Sequence, residues 1–198
     1  MIRPMDKLTR ADILPLERYA AERASFRARV IAHKKSRSIA LGLHATLLFE
    51  DRLTVQYQIQ EMLRIERIFE AAGIQEEIDA YNPLIPDGRN LKATMLFEFP
   101  DAGVRVEQLA KLAGVEHRVY AEVHGQPRVF AVADEDMDRS NAEKTSAVHF
   151  LRFEFSAAAV SALREGAGLS LGIDDPRLPE CTLVPAPSRA VLLSDFGS

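Results

Sequence analysis

Charged side chains at the centre of apolar helix faces are the clearest sign of a site in this sequence. At about 100° per residue, Glu66 falls in the middle of the apolar face of one predicted helix. Arg23 and Arg27, one turn apart, hold the same position on an earlier helix. Because an unpaired buried charge is very costly, we predict that Glu66 pairs with one or both arginines. The pair either fixes how the helices dock, which we favour, or lines a pocket for a carboxylate or phosphate ligand.

A second candidate site lies where the Glu66 helix leads into a proline-rich loop, "YNPLIPDGRN". Loops held by a rigid scaffold commonly carry binding and catalytic residues. Acidic, basic, phenolic and amide side chains together could bind a small polar molecule or take part in an enzymatic reaction. The candidate ligand-binding residues of this cluster are Glu61, Arg64, Glu66, Tyr81 and Asn82.

Three glutamates follow similar strand sequences: "ATLLFE" at 45–50, "ATMLFE" at 93–98 and the weaker "HFLRFEF" from His149. Neighbouring strands lie about 4.8 Å apart, so adjacent copies could bring Glu50, Glu98 and Glu154 together around a metal. Solvated glutamates at strand ends are far commoner. We therefore expect one structural corner used three times, with its phenylalanines anchored in the core, and no bound metal or other cofactor.

Familiar catalytic motifs are absent from the sequence, which contains no phosphate-binding glycine loop, nucleophile elbow or HExxH. The segment "DEDMDRSNAEKT" imitates a calcium loop but carries Arg139 and Thr145 where a glycine and a bidentate glutamate are required, so we expect a solvated loop. The five histidines form no ligand set. His149, on the apolar side of its strand, is expected to be a hydrogen-bonded core residue, and His33 is expected to be solvated. Whether the protein is an enzyme stays open.

Composition narrows the class of protein. The chain has 198 residues, 47% of them hydrophobic, and a net charge of −4, which suits one compact soluble domain. The basic run "RASFRARVIAHKKSR" is followed by an acidic segment that should cover it, so we predict no nucleic-acid binding. The single cysteine, Cys181, excludes an internal disulfide and is expected to be buried or inert. With no apolar run of about 18 residues and no apolar secretion signal, we expect a cytoplasmic protein without a membrane partner.

The hydrophobic periodicity predicts an α+β fold, in which N-terminal helices and crossover helices pack on a mixed, mainly antiparallel sheet. A continuous strand is expected in "RSIALGLHATLLFED", followed by one helix over 53–72 that Gly73 ends. Strand–helix–strand order permits parallel pairing, whereas "HGQP" predicts an antiparallel pair of strands, 117–124 and 128–133. We expect a single domain, 1–198, divided into a helical N-terminal part (9–36), a strand–helix core (37–175) and a C-terminal helix (188–195).

Two stretches resemble a family of bacterial proteins of about 200 residues whose domain has no known function. They are "FEDRLTVQYQIQEMLRIERIF" and "YNPLIPDGRNLKATMLFEFPD", at 49–69 and 81–101, and the resemblance extends over nearly the whole chain. It supplies no catalytic residues. It implies genes that lie beside those of rubrerythrin-like and iron–sulfur oxidoreductase-like proteins, and hence an accessory role in redox or peroxide handling.

Two hypotheses on function follow. The first is a non-catalytic binding or accessory protein that acts with a rubrerythrin-like or iron–sulfur protein partner. The alternative is a small-molecule-binding protein or enzyme that uses the Glu/Arg/Tyr/Asn cluster. We also expect a homodimer, since two-fold dimers are the commonest assemblies of soluble oligomers.

Overall fold

The computed structural model describes residues 6–135 and 145–197, which form an α+β fold as the sequence predicts. The described helices are α1 (Leu16–Lys34), α2 (Arg52–Glu66), α3 (Ala71–Tyr81), α4 (Ala102–Lys111), α5 (Ala157–Arg164) and α6 (Ala186–Leu193). The described strands are β1 (Ser38–Leu41), β2 (Ala45–Phe49), β3 (Asn90–Phe97), β4 (Val119–Val123), β5 (Val129–Phe130), β6 (Val132–Ala133), β7 (Val148–Glu154), β8 (Leu169–Ile173) and β9 (Glu180–Leu183).

The strands form two sheets, with the orders β1-β2-β3-β7-β6 and β5-β4-β8-β9. Every pair of these strands is antiparallel, so the parallel pairing that the sequence permitted is not used. Strands β2 and β3 pair with Phe49 opposite Ala93, although two helices separate them in the chain. A connection of this length allows either parallel or antiparallel pairing. The order of the elements alone therefore does not decide the direction of the strands.

The predicted long strand is a hairpin. The chain turns at Gly42, whose φ of 63° is left-handed, and Leu41 then pairs with Ala45. Leu43, which the alternation of one continuous strand would place on the apolar face with Leu41 and Ala45, lies at the tip and is 88% exposed. A three-residue loop preserves the alternation of inward and outward side chains, so the pattern runs through the turn without a break.

The helix predicted over 53–72 is two helices. Asp51 begins α2, because its Oδ1 accepts hydrogen bonds from the amides of Leu53 and Thr54, both at 3.0 Å. Helix α2 ends at Glu66, where Arg67 takes the left-handed cap conformation with φ of 57°. That position usually holds glycine, so no residue type marks the end of α2, and Gly73 lies inside α3.

The main core fills the space between the sheets and includes the three phenylalanines of the repeats. Phe49, Phe97 and Phe153 are at most 5% exposed, and the rings of Phe49 and Phe153 lie 6.3 Å apart. The predicted anchoring of the strand ends is therefore confirmed. Two smaller apolar clusters hold α1 to α2 and α2 to α3.

The two sheets are joined at both sides. The strand predicted over 128–133 passes from one sheet to the other, since β5 pairs with β4 while β6 pairs with β7. Across the molecule, Thr182 on β9 donates a hydrogen bond to the carbonyl of Ala40 on β1 at 2.9 Å. Most of the predicted solvated loop, 136–144, lies outside the described residues. Within the described residues, the helices are too short or too polar to span a membrane.

Candidate functional site

A cleft of about 350 Å³ separates the outer face of the first sheet from helices α1 to α3. Side chains alternate along a strand, so the outward residues of β2, β3 and β7 lie side by side and form its floor. The helices supply the walls. The apolar lining consists of Leu48, Val55, Leu84, Leu96, Val148 and Phe150, and the polar lining of Lys34, Glu50, Thr54, Gln58, Tyr81 and Thr94.

Glu50, at the end of β2, places a carboxylate in this cleft. The residue is 8% exposed, and its two oxygens accept hydrogen bonds from the hydroxyls of Thr54 at 2.5 Å and Thr94 at 2.6 Å. The Thr54 hydroxyl accepts from the amide of Asp51 at 2.9 Å, and of the two acceptors for its own proton the Glu50 carboxylate, at 2.5 Å, is closer than the Asp51 carbonyl, at 3.1 Å. An arrangement with two donors suits the ionised carboxylate, which accepts hydrogen bonds at both oxygens. The cleft therefore contains a fixed negative charge.

Lys34, the last residue of α1, brings a positive charge to the same cleft. Its ammonium lies 5.9 Å from the centre of the Tyr57 ring, a cation–π contact. Within the part of the chain that the structure describes, neither Lys34 nor Glu50 belongs to a salt bridge. The cleft thus offers both a cation and an anion to a ligand.

A buried network of charges holds the base of the cleft in place. Asp51, next to Glu50, accepts a hydrogen bond from His33 Nε2 at 2.6 Å. Arg37 Nε lies 3.1 Å from the same Asp51 oxygen, at ion-pair distance but without hydrogen-bond alignment. Burial alone would raise the pKa of Asp51, but the hydrogen bond from His33 and the Arg37 charge lower it overall. His33, predicted to be solvated, is therefore a partner of this network.

The same network reaches the end of the chain. Arg37 donates two hydrogen bonds to Asp195, at 2.9 and 2.7 Å, and both side chains are 1% exposed. Burial raises the pKa of Asp195, and the Arg37 pair only partly offsets that effect. Arg37 thereby connects the segment after α6 to the start of α2, and it stiffens the backbone on which Glu50 sits.

A protein-family model described as "Protein of unknown function (DUF3501)" matches residues 7–196. The chain belongs to this family. The predicted resemblance to bacterial proteins of unknown function is therefore confirmed.

A solved relative shows the same fold as this DUF3501 chain. The crystal structure of a novel protein of unknown function from Burkholderia pseudomallei K96243 has 50% sequence identity and a TM-score of 0.93. The match covers 97% of this chain and 100% of that one. No curated protein matches the chain.

The predicted pair between Glu66 and the arginines is wrong. Glu66 is exposed, and Arg23 instead makes a two-pronged pair with Glu61, with both distances 2.8 Å. The Tyr19 hydroxyl also donates to Glu61, at 2.6 Å. The Arg23 hydrogen bond, joined by that of Tyr19, lowers the pKa of Glu61 to about 2. Arg27 is exposed as well. In the last turn of α2, Leu63 is buried, whereas Glu66 at the end of the helix faces solvent.

The predicted polar cluster does not form one site. Arg64 joins Glu61 at 3.2 Å, in the pair with Arg23. Asn82 binds the backbone of Leu8 in both directions, at 2.9 Å each, and so tethers the N-terminal segment. Of the five residues in the cluster, Tyr81 alone lines the Glu50 cleft.

The three strand-end glutamates do not converge, so the candidate metal site is not formed. The Glu50 amide binds the carbonyl of Lys92 at 2.8 Å, and Glu98 lies six residues further along the same chain segment, about 20 Å away. Glu98 instead accepts a hydrogen bond from Thr46 at 2.8 Å. Glu154 binds Asn90 at 3.1 Å and Arg152 at 2.8 Å. The repeated sequence drew attention to Glu50 as a candidate metal ligand, whereas the structure places it in the cleft.

His149 is a hydrogen-bonded core residue, as predicted, but its partners were missed. The side chain is fully buried, with Nδ1 at 2.6 Å from Asp134 and Nε2 at 2.7 Å from the Thr145 hydroxyl. Thr145 also donates to Glu116 at 2.8 Å. Asp134 and Thr145 stand at the two ends of the predicted solvated loop. No spacing in the sequence relates Glu116 to them.

Cys181 is exposed on β9, so of the two predicted alternatives, a buried or an inert thiol, the buried one is wrong. Gly172 lies between Cys181 and Tyr120 in the sheet, and without a side chain there the Tyr120 hydroxyl can reach the thiol. Burial and this hydrogen bond raise the pKa of Tyr120 to about 12.

Proposed function

We propose that the protein is a non-catalytic binding protein that holds a small amphipathic molecule in the Glu50 cleft. The observation that carries the proposal is a carboxylate, fixed by two threonine hydroxyls, in a cleft with an apolar floor. Ligand pockets of about 300–1,000 Å³ are usually apolar with a few well-placed polar groups. The cleft, at about 350 Å³, lies at the lower end of this size range, and its lining is divided equally between apolar and polar side chains.

The arrangement of the polar groups is that of a rigid binding group. Here one carboxylate receives the hydrogen bonds of both Thr54 and Thr94, which fixes its orientation. The buried ion pairs of Arg37 with Asp51 and Asp195 hold the neighbouring backbone of Glu50 in place. A binding group held by a rigid second layer of contacts loses little entropy when its ligand arrives.

A thermal-shift screen of small molecules tests the proposal, with Leu96→Trp as the variant that fills the cleft. A ligand present at about 100 times its Kd stabilises the folded state by about 2.7 kcal/mol, a shift of several degrees in Tm. We expect compounds that stabilise the natural protein to lose their effect on Leu96→Trp. Val104→Trp, at an exposed site on α4, is the matched control and should keep the shifts.

Two results would contradict the proposal. The first is a screen in which no compound raises the Tm of the natural protein. The second is a set of shifts that persists in Leu96→Trp, since the binding would then lie outside the cleft.

An accessory role beside a rubrerythrin-like or iron–sulfur protein, and a cytoplasmic location, stay predictions of the sequence. A homodimer stays a prediction as well. A binding protein that carries or senses a small molecule is compatible with such a role. Affinity purification at native expression, followed by mass spectrometry, would identify the partner, and the recovery of no iron-containing protein would contradict the accessory role.

A further inference from the structure

We infer that the ligand of the Glu50 cleft is a zwitterion: an amine that also carries an anionic group, with an apolar body between or beside them. Its cationic nitrogen binds Glu50, its anionic group binds Lys34, and its body covers the apolar floor. The inference rests on the proposed function and adds the charge class of the ligand.

The hydrogen bonds of Glu50 indicate a cationic partner. An ionised carboxylate has about four acceptor positions, and the hydroxyls of Thr54 and Thr94 take two of them. A carboxylate that is largely removed from water is costly unless its remaining positions are filled, and the buried Arg37 charge attracts Glu50 only from beyond salt-bridge distance. An ammonium group donates up to three hydrogen bonds, and charge-assisted bonds are about twice as strong as neutral ones.

Lys34 indicates an anionic partner. Within the described residues its ammonium has no carboxylate within salt-bridge distance, and the Tyr57 ring covers one side of it. The side chain stands in the last turn of α1, where the helix dipole favours a positive charge. Lys34 and Glu50 line the same cleft without pairing with each other. A ligand with both charges satisfies the two groups at once, whereas a ligand with one charge leaves the other group solvated only by water.

The floor indicates an apolar body. Thr94 lies opposite Leu48 on one side and Phe150 on the other, and Leu96 lies opposite Val148. The donor to Glu50 is therefore flanked by apolar side chains on both neighbouring strands. Burial of a hydrocarbon body against these side chains removes apolar surface from water and so favours binding.

The test is calorimetric titration of four probes that share one body: phenylalanine as the zwitterion, 2-phenylethylamine as the cation, 3-phenylpropionate as the anion and 2-phenylethanol as the neutral analogue. A parallel series based on leucine repeats the comparison with an aliphatic body. We expect the zwitterion of at least one series to bind the natural protein about 10-fold or more tightly than its single-charge analogues.

Two variants assign the charges. Glu50→Gln should weaken binding of the zwitterion and of the amine about 10- to 100-fold and leave binding of the acid unchanged. Lys34→Met should weaken binding of the zwitterion and of the acid by a similar factor and leave binding of the amine unchanged. Glu98→Gln is the matched control for the first, because Glu98 also accepts from a threonine at a strand end but outside the cleft. Lys35→Met, at an exposed neighbour, is the control for the second. Circular dichroism confirms that each variant is folded.

The zwitterion inference is overturned if the neutral or singly charged probe binds as tightly as the zwitterion, if Glu50→Gln has no more effect than Glu98→Gln, or if no probe binds. A screen in which uncharged compounds bind, and in which Leu96→Trp abolishes that binding, would overturn the inference while the proposed function stands. Binding of the probes that Leu96→Trp does not affect would overturn both.

Discussion

Replacement of Arg37 by methionine removes a cation that two buried carboxylates share. Arg37 makes two hydrogen bonds to Asp195, at 2.9 and 2.7 Å, and lies 3.1 Å from Asp51. The side chains of Arg37 and Asp195 are 1% exposed, so water does not compensate for the loss. Asp51 keeps its hydrogen bond from His33 at 2.6 Å, and the loss therefore falls mainly on Asp195.

The expected size of the effect follows from this geometry. Removal of one partner from a buried pair typically costs about 3–5 kcal/mol, because the other charge stays desolvated. We expect about 4 kcal/mol for Arg37→Met, a large part of a total stability of about 5–15 kcal/mol. Asp195→Asn should cost less, about 2 kcal/mol, because Arg37 keeps Asp51 and the amide keeps one acceptor. The double variant Arg37→Met/Asp195→Asn removes both charges and should be more stable than Arg37→Met alone.

Urea unfolding followed by circular dichroism gives the free energy of unfolding of each variant. Comparison of the two single variants with the double variant then gives the interaction energy between Arg37 and Asp195. Arg27→Met is the matched control, because Arg27 is exposed, and it should change stability by less than about 0.5 kcal/mol. A cost below about 1 kcal/mol for Arg37→Met, or a double variant as unstable as the sum of the singles, would refute the reasoning.

Two further predictions concern the helix pair and the hairpin. The Arg23 hydrogen bond lowers the pKa of Glu61 to about 2, below its value of 4.5 when unfolded, so the stabilisation is complete above about pH 4.5 and is lost as the pH falls through about 2. Glu61→Gln should therefore cost about 1–2 kcal/mol at pH 7 and little at pH 2, and equal costs at both would contradict this. Gly42→Ala should lower the Tm by several degrees, chiefly because its φ is 63°, while the Glu180 carboxylate that a Cβ would overlap is the flexible end of a side chain and can move aside. Gly125→Ala, with φ of 79° and open space around it, separates the backbone strain from the overlap.

The sequence by itself determined the α+β class, the anchoring of Phe49, Phe97 and Phe153, and the membership of the family. These depend on local information, since the side-chain period of a strand or helix is written into neighbouring residues. The same local pattern does not reveal two interruptions, the turn between β1 and β2 and the end of α2. A three-residue loop at Gly42 preserves the alternation, and Arg67 ends α2 in a conformation that normally selects glycine.

The tertiary structure alone decided which charges meet. Glu61 rather than Glu66 pairs with Arg23, because the end of α2 leaves Glu66 in solvent. The Glu50 cleft combines α1, α2 and α3 with three strands, and its members range from Lys34 to Phe150 along the chain. Helical and strand periods relate residues only a few positions apart, whereas this site depends on the pairing of β2, β3 and β7 and on the helices packed across them. That packing places the strand-end Glu50 in the cleft.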